Sequence, residues 1–95
     1  MKTQQQQQQP KYFADLQKPR RIKDGVMSIG IYNLIVSIRD LKIYSRGIKP
    51  HRNWRITDVK KYFGVQGSTL NILSKLELEL EMYKYNKENF EKTNK

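Results

Sequence analysis

The stretch that decides the fold is Asp58-Val59-Lys60-Lys61-Tyr62-Phe63-Gly64-Val65-Gln66-Gly67-Ser68-Thr69-Leu70-Asn71-Ile72-Leu73. Val59 and Phe63 stand four apart, so one helical face turns them both inward. Gly64 can take the left-handed conformation that ends a helix, and Val65 then plugs the corner. Ser68 or Thr69 can cap a following helix, whose inward face begins with Leu70 and Leu73. The sixteen residues therefore predict two helices joined by a tight turn. Thr57 is placed to cap the first of them, with Asp58 favourably set in its first turn.

Upstream, Ile31, Leu34, Ile35, Ile38 and Leu41 share one face of a helix running from about Ile31 to Arg46. Its end is marked by Gly47, by Ile48 as the accompanying apolar contact, and by Pro50. Arg39, Lys42 and Arg46 fall toward its C-terminal half, where the helix dipole favours cations. Its start is ambiguous, because Val26 to Tyr32 suits either a short strand or an early helical turn. Between these helices lies Gly47-Ile48-Lys49-Pro50-His51-Arg52-Asn53-Trp54-Arg55, a basic loop with one tryptophan. Trp54 suits a core anchor better than a stacking platform for a base.

Downstream, Leu76 to Tyr83 alternates leucine with glutamate at period two, as a strand would. Leu73, Leu76, Leu80, Tyr83 and Phe90 also follow helical three-four spacing. Glutamate and leucine favour the helix, so one extended helix to about Tyr85 is expected; a short wing-like strand is the alternative. The expected fold class is all-α: three helices with a helix-turn-helix-like unit and a long third helix, spanning 26–85. Residues 1–25 are expected to be a disordered arm, glutamine-rich through residues 4–9 and basic at Arg20, Arg21 and Lys23; residues 86–95 are expected to be a polar tail.

The chain is 95 residues with a net charge of +10. Residues 1–61 carry fourteen basic and four acidic side chains, whereas residues 62–95 carry five of each. All the excess lies in the front two-thirds, which suits a polyanion-binding face ahead of a neutral packing segment. Without cysteine, and with His51 as the one histidine, thiolate chemistry and two-imidazole zinc sites are excluded. Asp15, Asp24, Asp40 and Asp58 are scattered singly, so no carboxylate pair, metal cluster, cofactor or catalytic group is expected. There is no apolar stretch of signal type and no run of about eighteen apolar residues, so a cytoplasmic protein without a membrane span is expected.

Residues 58–73 resemble the helix-turn-helix of excisionases and MerR-type regulators, in which a segment like Tyr62-Phe63-Gly64-Val65 precedes one like Ser68-Thr69-Leu70 at the start of the recognition helix. The chain departs from that pattern at Lys60, where a small residue is usual, and at Gly67, where a polar one is. An equally short resemblance, to the SAP helix-loop-helix, is carried by Val59, Lys60, Gly64, Val65, Gly67, Ile72, Lys75 and Leu76. Both imply DNA binding, and the first implies that the helix from Ser68 lies in the major groove. On that footing Lys49, Arg52, Arg55, Lys60 and Lys61 contact phosphates, while Arg20, Arg21 and Lys23 lie along the minor groove. Gln66, Ser68, Thr69 and Asn71 are the candidates to face bases, and no arginine stands among them to read guanine. The function expected is that of a non-enzymatic DNA-binding regulator or mobile-element accessory factor. RNA or ribonucleoprotein association is one alternative. Another is a protein-interaction adaptor or homodimer pairing through Leu73, Leu76, Leu80 and Tyr83. A plain helical hairpin with a glycine turn explains the same residues without any ligand.

Overall fold

The computed structural model describes residues 9–93, so all of the glutamine tract but Gln9 lies outside it. Pro10 opens α1 (Lys11–Asp15), which is followed by β1 (Pro19–Ile22) and β2 (Gly25–Ser28). Then come α2 (Ile29–Ser45), α3 (Ile56–Phe63) and α4 (Thr69–Thr93). The described chain is mostly helical, with four helices and one antiparallel hairpin rather than three helices alone.

The first correction concerns residues 11–25, read as a disordered arm. Tyr12 is buried against the Phe63 ring, 4.9 Å between centroids, and its hydroxyl donates to Glu79 Oε2 at 3.1 Å. A five-residue helix has no period to read, and tertiary contacts such as these hold it. Strands β1 and β2 pair in register from Pro19↔Ser28 to Ile22↔Gly25 around the two-residue turn Lys23-Asp24. Proline is tolerated there because it opens an edge strand.

The ambiguity at Val26 to Tyr32 resolves into both options in sequence. The strand ends at Ser28, whose Oγ accepts from the Ile31 amide at 3.0 Å and so caps α2. Ile31, Leu34, Ile38 and Leu41 form its buried face, while Ile35 is exposed, at the edge of the stripe. Gly30 is needed because a Cβ there would stand 2.9 Å from the Leu16 amide nitrogen. At the far end Gly47 has φ +86, as expected, yet Ile48 is exposed and makes no apolar closure. Two cations expected to favour that end are held in pairs. Arg39 donates to its buried neighbour Asp40 at 3.0 Å, and Lys42 meets Glu77 at 3.5 Å.

Helix α3 starts one residue earlier than Thr57 predicts, with Arg55 at the cap position and no side-chain cap bond. It ends at Gly64, φ +67 and ψ +38, and the Val65 amide bonds back to the Lys60 carbonyl. Trp54 packs on Tyr44 near the end of α2, and the Tyr62 hydroxyl accepts from Asn33 near its start, so α3 runs back antiparallel to α2. Helix α4 opens with the Asn71 amide bonded to Ser68 Oγ at 3.2 Å. It is continuous through Leu76–Tyr83, so no wing strand forms there, and it runs to Thr93 instead of giving way to a tail after Tyr85.

The core joins Tyr12, Ile31, Leu34, Ile38, Leu41, Trp54, Val59, Phe63, Ile72 and Leu76. Leu70, expected inward, is exposed, and Ile72 takes the buried place. Leu76 is buried, and Leu73, Leu80 and Tyr83 pack against the core. Leu76 is thus taken up by the core, while Leu73, Leu80 and Tyr83 are only partly buried against it. Phe90's side chain lies outside the described residues.

Candidate nucleic-acid interface

Two turns of α3 and the corner after it bring the central residues together. Phe63 and Val59 fix which face is buried, so Thr57, Lys60 and Lys61 emerge on the other side. With Gly64, Val65 and Gln66 they line one shallow concavity. Lys61 is exposed and Lys60 half-buried. The Lys75 Nζ donates to the Gln66 carbonyl at 2.8 Å, which fastens the turn to the first part of α4. A second groove beside it is lined by Gln9, Pro10, Lys11, Asp58, Lys61, Tyr62 and Gly64. Lys11 is thus a member of this region that the sequence did not single out, and Lys75, named there only for its place in the SAP-like pattern, is another. Lys11 arrives there only because α1 docks on α3, and no local signal foretells it.

The other expected phosphate ligands form separate groups. Lys49, Arg52 and Arg55 are exposed on the loop between α2 and α3, which Trp54 anchors from within. As a buried residue, 7% exposed, Trp54 is a core anchor and not a base-stacking platform. Arg20, Arg21 and Lys23 are exposed on the hairpin at the opposite end of α2, where the Arg20 guanidinium lies 4.1 Å over the Tyr32 ring. They belong to a folded hairpin rather than a loose arm.

Of the base-facing candidates, Gln66 and Asn71 are exposed. Ser68 is committed to capping, and Thr69 is half-buried at the first position of α4. Beyond Lys75 the helix turns acidic at Glu77, Glu79 and Glu81.

Around Tyr62, which lines the second groove, lies a polar cluster that sequence reasoning missed. The Tyr62 hydroxyl donates to Asp15 Oδ2 at 2.7 Å while accepting from Asn33 Nδ2 at 2.9 Å. Lys18 adds an ion pair to Asp15 at 3.4 Å, and Lys11 a longer one at 4.0 Å. The Tyr62 bond, with Lys18 and Lys11 behind it, holds the buried Asp15 carboxyl below the usual carboxylate range. Burial, together with the bond given to Asp15, pushes the Tyr62 hydroxyl up to about 12 against the opposing Asn33 bond. Burial and the neighbouring Glu79 push Tyr12 well above an ordinary tyrosine. Among the described residues every buried side-chain nitrogen and oxygen has a partner. Also among them, no group of three or more His, Asp or Glu could hold a metal ion, and no helix is long and apolar enough to cross a membrane.

No protein-family model matches the chain, and comparison with curated proteins and with solved structures likewise returns no match.

Proposed function

We propose that this chain is a non-enzymatic, cytoplasmic protein that binds the backbone of a nucleic acid, duplex DNA ahead of RNA. The helix-turn-helix-like unit α3–turn–α4 is its docking element, and a DNA-binding regulator or mobile-element accessory factor is the role that fits. The observation that carries this reading is the grouping of Lys60, Lys61 and Gln66 about one exposed concavity, in a chain whose entire charge excess lies within residues 1–61. Lys49, Arg52 and Arg55 supply further phosphate contacts from the preceding loop, and Arg20, Arg21 and Lys23 from the hairpin. Phosphate contacts position a protein without specifying sequence. Five of them give a log–log salt slope of roughly −4 to −5, at about −0.9 per contact. Titration of the chain against a duplex across a salt series measures this slope, and a salt-independent affinity would sink the proposal. Structured RNA as competitor separates the two nucleic acids.

A second reading, a protein-interaction adaptor, has one observation in its favour. Leu78, Met82 and Tyr85 lie at four- and three-residue spacing on α4 and are 62%, 54% and 65% exposed. A complex with a protein that survives nuclease and high salt would favour it.

A further inference from the structure

Leu70 is 64% exposed on the first turn of α4, so its side chain is free to meet a ligand there. Its surroundings restrict what that can be. Asn71 follows it, exposed, and Gln66 precedes it, exposed, in a turn pinned by the Lys75 bond. The turn is also pressed against the helix: a Cβ at Gly67 would stand 3.1 Å from the Asn71 Cβ. Gln66, Leu70 and Asn71 are therefore all exposed at this braced turn and the first turn of α4, and Gln66 shares its concavity with the cations Lys60 and Lys61. Farther along α4, Glu77, Glu79 and Glu81 repel phosphate, which limits a polyanion to roughly the first two turns of the helix.

Within those turns the chemistry is selective. Carboxamides match the N6 donor and N7 acceptor of adenine, and an apolar side chain matches the thymine methyl group. Guanine is read by arginine or lysine. The lysine within these turns, Lys75, is occupied with the Gln66 carbonyl, and no arginine is present. We infer that this edge reads A·T pairs in the major groove, with Leu70 on the thymine methyl and Asn71 and Gln66 on adenine. The inference rests on the DNA-binding reading above and adds the base composition of its target.

The test uses the full chain and duplexes of one length at one salt concentration. The first is A·T-rich, the second is the same with deoxyuridine in place of thymine, which removes only the methyl group, and the third is G·C-rich. The wild type should bind the thymine duplex about three- to fivefold more tightly than the deoxyuridine one, the effect of a single buried methyl. Leu70→Ala, at an exposed position that folding does not depend on, should close that gap by losing affinity for the thymine duplex alone. Asn71→Ala should shrink the preference for A·T over G·C by fivefold or more. Equal wild-type affinity for all three duplexes, with a steep salt slope retained, overturns the A·T assignment and leaves backbone binding standing. Failure to bind any duplex at low salt overturns both.

Discussion

A Cβ placed on Gly64 runs into the Pro10 ring, and the φ of +67 there is one that side-chain-bearing residues rarely adopt. Gly64→Ala should therefore cost on the order of 1–3 kcal/mol in denaturant titrations. In a Pro10→Gly background part of that cost should disappear, since the steric share requires the ring. Gly67→Ala should be strained as well, because Gly67 has φ +125. Asp15 and Tyr62 give a second prediction at this scale, in pH. A carboxyl whose folded pKa is lowered stabilises the protein above its unfolded value of about 3.9, and that contribution fades as pH falls through the folded value. Acid unfolding of Tyr62→Phe, which lacks the leading cause of the shift, should be less steep below about pH 4 than that of wild type. Tyr62 has the opposite sign: its raised pKa means stability intact below about pH 10 and lost as pH rises toward about 12. Alkaline denaturation followed by circular dichroism checks that limb, and Tyr62→Phe should flatten it too.

Helix α1 is short enough to be mistaken for tail, yet it touches both α3 and α4 through Tyr12. Tyr12→Ala should cost about 3–5 kcal/mol, the range for large aromatic truncations, whereas Phe13→Ala, at a side chain 46% exposed, should stay within about 0.5 kcal/mol. Equal midpoints for the two variants would mean that α1 is not docked. The contrast also explains what was legible beforehand. Helices α2 and α3 and the Gly64 turn announce themselves through apolar spacing and a glycine stop, and with them Lys60, Lys61 and Gln66 of the candidate site. Helix α1 does not, because its stability comes from partners about fifty or more residues away. The hairpin left only a weak signal, an Asp24-Gly25 step between Ile22 and Val26 that suggests a turn but is one residue out of register with the observed Lys23-Asp24 turn. In α4 the difficulty is different. Leu70, Ile72, Leu73, Leu76, Leu78, Leu80 and Met82 place apolar groups almost all round the helix, so spacing alone cannot say which face turns in. Packing against α2 chose Ile72 and Leu76, and left Leu70 and Leu78 outside.

On the scale of the whole molecule, the candidate phosphate ligands among the described residues fall into three groups: the hairpin, the α3 corner with Lys11, and the loop before α3. The Arg20 hairpin rests on the first turn of α2, and the Arg52 loop leaves from its last. That helix has 17 residues, about 25 Å at 1.5 Å per residue. On the DNA-binding reading proposed above, the length of α2 sets the span a bound duplex must cover. A duplex lying along it advances about 3.4 Å per base pair, so about seven pairs are needed before both ends can be touched at once. Affinity measured on a ladder of duplexes should then climb abruptly near that size and level off, and Arg20→Ala together with Arg21→Ala should erase the step while sparing the weaker grip on shorter rungs. A smooth rise proportional to length would mean that the two ends never share one ligand.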